Sequence, residues 1–391
     1  MAADREITVI ALGGAGCRIM SMLAGVEAAR KFNLLAIDSD TESLKSSGLP
    51  EDKQIQVGKL LRSGRGCGGD IISGQQALAN ERKMLANLLS DTRMLVVIAG
   101  LGGGLATGGL PVILGVAAKL HIAMAAVVTL PFSLEGFQRR HLADEKIKND
   151  LLPLADAVLA LPNDLLFSTL NAETPIAEAF RLSDQEVSRT VLALISIFGG
   201  GNLFSADFAS FTGILKRRHT LCPIGTALVD NNEDAAAEAM DKMLASPLLG
   251  GPESLDNADA LAFSLLGGPE LSIGNARAIL DLCSRQIDQE SGKTLLLGAS
   301  TADEFAGKIQ LTVMAVRYLD RNEPLRDKSG KQSGHHDIRG GNGGDAGMQM
   351  TLPLVMEDKG IMENTTPIML DGEDLDVPTF RRRGLVIDTG K

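Results

Sequence analysis

Three clusters of glycine in the first third of the chain have the composition of loops that bind anions through their backbone. They span Gly13–Gly16, Gly64–Gly69 and Gly102–Gly109. Where a glycine-rich loop joins a strand to a helix, backbone N–H groups can approach an anion closely, and the helix dipole favours negative charge. One such loop can be a simple tight turn, but three together favour a polyphosphate ligand. None contains the G-x-x-x-x-G-K-[ST] pattern, so the chain is not a P-loop nucleoside triphosphatase.

Short apolar runs alternate with helical patterns in the same part of the chain, and two of the glycine clusters directly follow such runs. The runs are Ile7–Leu12, Leu34–Ile37, Met94–Ala99, Ala123–Thr129 and Ala157–Leu161. Strands that are apolar almost throughout and alternate with helices are typical of a parallel sheet covered on both faces. The sequence therefore predicts one α/β domain that carries all three glycine clusters.

The rest of the chain divides by composition. A long helical pattern from Pro175 to Phe198 ends at three glycines, and three later apolar runs, Leu261–Leu266, Thr294–Leu297 and Ile309–Val316, predict a second α/β unit. After about Arg321 the chain becomes polar and Gly-rich, which is typical of a flexible linker. The final EDLDVPTFRRRGLVID mixes acidic, apolar and basic residues, which favours a docking peptide over an inert tail.

Composition excludes several classes of protein. Hydrophobic residues make up 45% of the 391, enough for substantial cores. A net charge of −11 and an aromatic content of 3% argue against nucleic acid as a partner. The four cysteines are widely separated and form no C-x-x-C pair, so we expect neither a metal site nor a disulfide framework. No signal peptide or membrane span is expected from the short first run, and a reducing cytoplasm is the default location.

A dinucleotide-dependent oxidoreductase is the main alternative from the residues alone. Gly14-x-Gly16, followed by Asp38 at the end of the second run, imitates the Rossmann fingerprint. However, Ile19 occupies the place of the third glycine. A nicotinamide-binding protein would also leave the Gly102–Gly109 cluster without a role.

Taken together, the loops resemble those of FtsZ, the tubulin-like GTPase family of bacterial cell division, from residue 7 to about residue 320. The motifs that carry the resemblance are VIALGGAGC, AIDSDTESL, GKLLRSGRGCGGDIISG, AGLGGGLATGGLPVI, VVTLPFSLEG, LPNDLL, FRLSD, SPLLGG, SLLGGPELS and a terminal LDVPTF followed by arginines. Each motif is a modest signal, but they occur in the family's order. We therefore expect a divergent member of this family.

The resemblance implies the fold and its divisions. The expected fold is α/β and tubulin/FtsZ-like, with a Rossmann-like parallel-sheet GTPase domain, a long central helix, a smaller second α/β domain and a disordered C-terminal tail. The expected divisions are a nucleotide-binding domain at 1–174, the central helix at 175–200, an activating and assembly domain at 201–320, a linker at 321–370 and a docking peptide at 371–391.

The resemblance also implies residues that bind the phosphates and ribose of GTP or GDP, with Mg²⁺ held mainly by the nucleotide. They are Gly13, Gly14, Gly16, Cys17, Arg18, Gly66, Cys67, Gly68, Gly102, Gly103, Gly104, Leu105, Ala106, Thr107, Gly108, Thr129, Pro131, Glu135 (at the ribose) and Arg139 (beside the nucleotide). Leu105 stands where the family has a threonine, and its side chain cannot donate a hydrogen bond. Arg18 replaces a frequent polar amide, and either a phosphate contact or a solvent-facing position is open. For Cys17 and Cys67, small residues that allow close approach are favoured over redox sensors.

Guanine recognition is implied for Asn163, Phe180 and Asp184. A carboxylate can accept hydrogen bonds from guanine N1–H and its exocyclic amine, and a phenyl ring can stack on the purine. Adenine presents the opposite pattern on that edge. Without the resemblance, Asp184 would be a helix residue near a turn and Phe180 an ordinary core residue.

Catalysis is where the chain departs from the family. In FtsZ, a loop of pattern N-x-D-F-A-D after the central helix completes the site of the next subunit. Aligned on the shared D-F-A, this chain keeps Asp207 but has Ser205 for the amide and Ser210 for the second acid. A second register, less favoured, pairs Asn202 with Asp207. We expect slow, polymer-dependent GTP hydrolysis, and a hydrolysis-deficient structural paralogue is the alternative.

The resemblance finally implies partners and location. The chain is expected to form head-to-tail filaments with itself, with a second FtsZ as a further candidate partner. Residues 371–391 are expected to bind a membrane-anchoring division adaptor, which would recruit a cytoplasmic protein to the septum at the inner face of the membrane.

Overall fold

Six parallel strands form the first sheet of this computed structural model, in the order β3-β2-β1-β4-β5-β6. The strands are β1 (Ile7–Leu12), β2 (Asn33–Asp38), β3 (Gln54–Gln56), β4 (Met94–Gly100), β5 (Ala123–Leu130) and β6 (Ala157–Pro162). All six residues of β1 are buried, as a strand covered on both faces requires. The structure describes residues 6–59, 66–168, 170–171, 173–196, 208–215, 221–285, 293–318, 369–370 and 373–374.

Helices follow nearly every strand of this sheet. They are α1 (Gly13–Ala24), α2 (Thr41–Ser46), α3 (Ile71–Ala79), α4 (Arg82–Leu88), α5 (Gly104–Lys119), α6 (Phe137–Lys146), α7 (Leu152–Leu154), α8 (Asn163–Ser168) and α9 (Ile176–Ser196). α1 and α5 begin directly after β1 and β4, so their N-termini lie at the carboxyl edge of the sheet. α3 packs closely on α5 because glycines face it: a Cβ on Gly108 would lie 2.1 Å from the Ile71 carbonyl oxygen.

A four-stranded sheet of order β7-β10-β8-β9 forms the second α/β part. Its elements are α10 (Phe208–Leu215), β7 (Ile224–Asp230), α11 (Ala235–Leu244), α12 (Glu253–Asp256), β8 (Ala260–Gly267), α13 (Ile273–Arg285), β9 (Thr294–Thr301) and β10 (Lys308–Val316). β10 runs antiparallel to β7 and β8, whereas β8 and β9 are parallel. The 21-residue α9 contacts α1 beside the first sheet and β8 in the second, and so joins the two.

Alternate residues of β1 supply two different cores. Val9 and Ala11 pack in a cluster with α1, α9 and one face of the second sheet. Ile10 and Leu12 pack on the other face with α5 and neighbouring helices. This division follows from the two-residue period of a strand, which sends successive side chains to opposite faces. A third cluster lies between the second sheet and helices α11 and α13.

The predicted fold class is confirmed, with two differences of detail. β7 and the short β3 were not among the predicted strands. β7 has a buried glycine at Gly225, where a Cβ would lie 2.8 Å from the Met243 carbonyl oxygen, so its sequence lacks an unbroken apolar run. Residues 1–332 form one compact unit. The predicted linker and docking peptide lie outside the described residues, apart from the antiparallel pair β11 (Met369–Leu370) and β12 (Glu373–Asp374).

Candidate functional site

A pocket of about 520 Å³ opens at the carboxyl edge of the first sheet. The strand order changes direction between β1 and β4, and ligands of open α/β sheets bind in the crevice at such a point. Residues after β1, β2, β4 and β5 line the pocket, together with residues of α8 and α9. The predicted binding residues that line it are Gly13, Gly14, Arg18, Gly66, Cys67, Gly68, Gly102, Gly103, Gly104, Leu105, Ala106, Thr129, Pro131, Glu135, Arg139, Asn163, Phe180 and Asp184.

Two helix N-termini meet at one end of this pocket. The first-turn N–H groups of α1 and α5 have no acceptor inside their helices, and neither helix has a side-chain cap. These groups belong to Gly13 and Gly14 in α1 and to Gly104, Leu105 and Ala106 in α5, and all five residues line the pocket. Two positive dipole ends and several donors free of intrahelical bonds favour an anion at this end, as a polyphosphate would provide.

Glycine is required at Gly13 by both conformation and space. Its φ is +76°, and a Cβ there would lie 3.3 Å from the Ala106 Cβ. The N-termini of α1 and α5 can therefore approach each other closely only because the first residue of α1 has no side chain. This close approach brings both sets of N–H groups to the same end of the pocket.

Leu105 contributes through its backbone rather than its side chain. The leucine side chain is buried in the core beneath the pocket, whereas the residue's N–H lies in the first turn of α5. A threonine at this position would offer an additional hydroxyl, but the backbone donor remains whatever the side chain is. We therefore expect Leu105 to weaken anion binding less than the loss of a threonine hydroxyl alone would indicate.

Four predicted contacts do not line the pocket, and each has another structural role. Gly16 lies against β4, where a Cβ would be 2.6 Å from the Ile98 carbonyl oxygen. Cys17 is fully buried in the core on the α9 side of the sheet. Gly108 allows α3 to approach α5. Thr107 is buried, and its hydroxyl accepts a hydrogen bond of 2.9 Å from the Gly102 N–H. This bond shapes the loop and occupies the Gly102 donor.

The other end of the pocket is formed by side chains. Phe180 lines it with 38% of its surface exposed, and its ring makes edge contacts with Phe132 and Phe167 at centroid distances of 5.2 and 5.4 Å. Phe132 and Phe167 also contact each other, at 4.4 Å. The exposed part of the Phe180 ring is thus a preformed apolar surface at the pocket, suited to stacking on a planar base. Asn163, the first residue of α8, lines the same region.

Arg18 contacts the predicted guanine-binding carboxylate directly. Its Nε donates to Asp184 Oδ2 at 3.1 Å, across 166 residues of sequence. The Asp184 side chain is only 11% exposed and that of Arg18 is 50% exposed. Burial raises the pKa of Asp184 above its ordinary value, and the Arg18 charge and hydrogen bond offset only part of that rise. The sequence left two alternatives open for Arg18, a phosphate contact and a solvent-facing position. The ion pair with Asp184 is neither of these.

Glu135 and Arg139 form a pair at the rim. Arg139 Nη1 donates to Glu135 Oε2 at 3.1 Å, while Glu135 Oε1 accepts from the Phe132 N–H at 3.0 Å. The carboxylate is thereby fixed just before α6 begins. Both side chains line the pocket between its two ends, where a ribose would join phosphates to base.

Several pocket residues were not named as binding residues from the sequence, although some lie in the quoted motif AIDSDTESL and in the Gly64–Gly69 cluster. The additional lining residues are Ala15, Asp38, Ser39, Asp40, Ser43, Gly69, Gly100, Leu101 and Ser183. Asp38, Ser39 and Asp40 end the second apolar run, so their position after a parallel strand was the available signal. Burial raises the pKa of Asp38, although its Oδ1 accepts from the N–H groups of Ser39 and Asp40 at 2.6 and 3.1 Å.

The cysteines of this region differ in position. Cys67 lines the pocket and lies 3.3 Å from the Ser39 hydroxyl, whereas Cys17, in α1, is buried in the core on the α9 side of the sheet. Burial raises the pKa of the Cys17 thiol to about 12, with a smaller contribution from the Asp38 charge. A thiol of that pKa is almost entirely protonated at neutral pH, which favours the structural interpretation of Cys17 over a redox sensor.

Of the predicted catalytic residues, the structure describes Ser210 alone. Ser205 and Asp207 are outside the described residues. Ser210 is exposed on α10, and it does not line the pocket. Among the described residues, no group of three or more His, Cys, Asp or Glu side chains could hold a metal ion. None of the described helices combines the length and apolar character that crossing a membrane requires.

Two family models match this chain. Residues 6–171 match the GTPase domain of the Tubulin/FtsZ family, and residues 222–317 match the C-terminal domain of the FtsZ family, which together cover about two thirds of the chain. Among solved structures, an FtsZ dimer from M. jannaschii is similar at 28% identity and a TM-score of 0.72, over 85% of this chain and 95% of that one. A point mutant of M. jannaschii FtsZ has 29% identity and a TM-score of 0.71, over 80% and 91%.

A more distant similarity supports the fold alone. CetZ2 from Haloferax volcanii, solved as a GTPγS-bound protofilament, has 22% identity and a TM-score of 0.64, over 81% of this chain and 94% of that one.

Proposed function

This chain belongs to the tubulin/FtsZ family, and on that premise we propose that it binds guanine nucleotide, assembles head to tail and hydrolyses GTP slowly. The observation that carries nucleotide binding is the pocket itself. One end gathers the N-termini of α1 and α5, and the other combines an aromatic surface with a carboxylate. A nucleoside di- or triphosphate has matching chemistry at its two ends.

Guanine is the base that Asp184 fits. An ionised carboxylate only accepts hydrogen bonds, and guanine presents two donors, N1–H and the exocyclic amine, on one edge. Adenine presents an acceptor at N1, which an ionised Asp184 would oppose. The exposed part of Phe180 would cover the face of the base, and Asn163 at the start of α8 offers both a donor and an acceptor.

The nucleotide itself would supply most ligands of a cation. Asp38 and Asp40 line the pocket, but the described residues contain no set of three acidic or soft ligands close enough to enclose a metal. Mg²⁺ prefers octahedral oxygen ligands and commonly combines phosphate oxygens and water with one or two carboxylates. The donor set fits that arrangement, in which the cation neutralises phosphate charge.

Self-association is supported by apolar residues near the pocket. Ile72 and Phe137 are 65% and 80% exposed, and they lie at the start of the helices that follow the pocket residues Gly69 and Glu135. The similar structures include an FtsZ dimer. If this surface contacts a different surface of the next copy, the contact is heterologous and generates an open filament. Ser210, on α10, would belong to that second surface.

Slow hydrolysis is proposed because a charge is missing where the family has one. A carboxylate acting from the next subunit can orient the attacking water and help to hold the cation. Ser210 is neutral, and losing one positioning or charge-stabilising group typically costs about 10²–10³ in rate. Asp207 would recover part of that loss.

GTP turnover measured beside sedimentation of polymer, across protein concentration, tests this function. We expect GTP-dependent pelleting above a critical concentration, slow turnover, and faster turnover with shorter-lived filaments in Ser210→Asp. Asp207→Ala should lower the remaining activity. Brisk turnover that Ser210→Asp leaves unchanged but Asp207→Ala abolishes would contradict this account and favour pairing Asn202 with Asp207. Pelleting without turnover in both the unmodified protein and Ser210→Asp would favour the hydrolysis-deficient paralogue. A co-purified nicotinamide would favour the oxidoreductase.

We also propose a role for this protein in cell division. Residues 321–370 would act as a linker of ~40 Å if they behave as a flexible coil. Residues 371–391 would then bind a membrane-anchoring adaptor through Val377 and Phe380, with a second FtsZ as a further partner. Deleting 371–391 should preserve pelleting and abolish recruitment to the division site, and loss of pelleting would assign these residues to assembly instead.

A further inference from the structure

Arg18 and Asp184 form an ion pair between α1 and the central helix α9. The pair lies at the end of the pocket that is lined by Asn163, Phe180 and Asp184, here called the base end. Arg18 lies in the second turn of α1 and Asp184 in the third turn of α9, and these helices pack side by side. Nε donates to Oδ2 at 3.1 Å. The nearly buried carboxylate therefore has a fixed, half-exposed cation beside it.

This ion pair leaves room for a base. A carboxylate has about four lone-pair sites, and the Arg18 Nε uses one of them. Asp184 still lines the pocket, as do Phe180 and Asn163. Guanine N1–H and its amine can thus approach the carboxylate while Arg18 stays in place, so Arg18 need not compete with the nucleotide.

The protonation state of Asp184 decides which purine it matches. Ionised, it accepts two hydrogen bonds, as the N1–H and amine of guanine require. Protonated, it presents one donor and one acceptor, which match adenine N1 and the adenine amine instead. Burial raises the pKa of Asp184 and so favours the protonated form, while the Arg18 guanidinium opposes this shift.

We propose that Arg18 is a positioning residue for base selection, which holds Asp184 in place and favours its ionised, acceptor form, so that the preference for guanine persists to a lower pH than it would without Arg18. This inference rests on the proposed nucleotide-binding function and adds a residue and a mechanism to it. Arg18 acts through Asp184 and need not touch the base.

Other charged side chains around Asp184 do not supply the same effect. The neighbouring elements present the following: Asp38 and Asp40 after β2, Glu135 and Arg139 before and in α6, Asp164 in α8, and Glu178, Arg181, Glu186 and Arg189 in α9 itself. Arg139, Arg181 and Arg189 each pair with a carboxylate other than Asp184. Among the described residues, Arg18 is the cation that lowers the pKa of Asp184.

Affinities for GDP and ADP, measured by calorimetry on the full chain freed of nucleotide, test the proposal. GDP avoids hydrolysis during the measurement. At about pH 7.5, Arg18→Gln should lower GDP affinity about tenfold, since a charged partner of the acceptor is lost. As pH falls to about 5.5, the preference of the variant for GDP over ADP should fall by tenfold or so more than that of the wild type.

Removing Arg18 should move the loss of guanine preference to a higher pH. Removing Arg18 leaves the burial contribution unopposed, so the pKa of Asp184 rises further. The ionised acceptor is then lost at a higher pH than in the wild type, and guanine preference is lost with it. Protonation of the nucleotide phosphates affects both proteins and both nucleotides equally, so it cancels in the comparison.

Two further variants separate this mechanism from a general loss of structure. Arg18→Lys keeps the charge and should restore most of the wild-type pH profile. Arg181→Gln is the matched control, because Arg181 is on α9 but pairs with Glu178 outside the pocket. It should leave the GDP-to-ADP ratio unchanged at both pH values.

The outcomes also separate this inference from the proposed function. A guanine-selective wild type whose Arg18→Gln variant shows the same GDP-to-ADP ratio at both pH values would overturn the role of Arg18 and leave the function standing. A wild type that binds neither nucleotide, or both equally, would overturn the proposed function and this inference with it.

Discussion

The two ends of the pocket are built from different parts of the chain. The end lined by the first turns of α1 and α5, here called the phosphate end, presents backbone N–H groups, so its residues need only be small enough. The base end is lined by the side chains of Asn163, Phe180 and Asp184, and other side chains hold two of these in place. Substitutions at the first end should therefore act through space and backbone conformation, and those at the second through the identity of a chemical group.

The largest effect is expected at the phosphate end, from Gly13→Val. Valine is strained at a φ of +76°, and its side chain would collide with Ala106 in the first turn of α5. Separating the two helix N-termini should weaken GDP binding by more than about 100-fold, because several backbone donors move together. Calorimetric titration with GDP would measure this loss.

Gly115→Ala is the matched control for Gly13→Val. Gly115 lies in α5, and a methyl group added there would meet nothing within 4 Å, so alanine should leave binding unchanged. It should stabilise the helix by about 0.5–1 kcal/mol. If Gly13→Val binds GDP as the wild type does, the phosphate end does not depend on the close approach of α1 and α5.

A smaller loss is expected at the base end from Asp184→Ala. A hydrogen bond to a charged group is worth about 1.5–3 kcal/mol, so GTP affinity should fall roughly 10- to 150-fold. The Arg18 left behind is half exposed and can be solvated, which limits any further loss of stability. Competition binding with GTP and ATP measures the change, with Glu178→Ala on the outside of α9 as the control. ATP competing as well as GTP against the wild type would refute the assignment of the base end.

The difference between the two ends of the pocket also explains which features could be predicted from the sequence. β1, β4 and β5 were predictable because a strand buried on both faces is apolar almost throughout. The phosphate end was predictable because a glycine-rich loop between strand and helix is encoded within a few consecutive residues. However, a glycine can serve a ligand, a neighbouring helix or both. Gly104 lines the pocket and also lies close to Asp70 just before α3, whereas Gly108 packs on α3 and does not line the pocket, and the sequence does not distinguish the two.

Contacts between distant residues were not predictable in this way. Arg18 and Asp184 are 166 residues apart, and no local pattern pairs them. The edge contacts of Phe132, Phe167 and Phe180 likewise depend on how three separate elements pack. The family resemblance indicated Asp184 and Phe180 as candidates, but the residues that hold them in place came only from the structure. The catalytic assignments and the domain boundaries stay predictions.

A modest effect on binding is expected when Phe167, whose ring packs against Phe180, is replaced rather than Phe180 itself. Phe167→Leu keeps an apolar residue but removes ring contacts of 4.4 and 5.4 Å to Phe132 and Phe180. Such aromatic pairs are worth about 0.5–1.5 kcal/mol each, so GDP affinity should fall by about two- to tenfold as Phe180 becomes less ordered. Phe137→Leu is the control for binding of GDP to the monomer, because Phe137 is 80% exposed and outside this cluster. An equal effect of both substitutions would show that the aromatic cluster does not organise the base end.

The smallest effect is expected from Cys17→Ala, although Cys17 directly follows the first glycine cluster. Its side chain is fully buried in the core between α1 and α9 and does not line the pocket. The backbone donors at that end should therefore be unchanged, and GDP affinity should stay within about twofold of the wild type. The loss of a small buried side chain should instead lower the free energy of unfolding by about 1 kcal/mol. Burial also raises the pKa of this thiol to about 12, so at about pH 8 only about 10⁻⁴ of it is the reactive thiolate. Iodoacetamide should therefore label Cys17 far more slowly in the folded protein than in the unfolded chain. Rapid labelling of the folded protein, or a large loss of GDP affinity in Cys17→Ala, would mean that a side chain at the phosphate end takes part in binding, and the contrast between the two ends would fail there first.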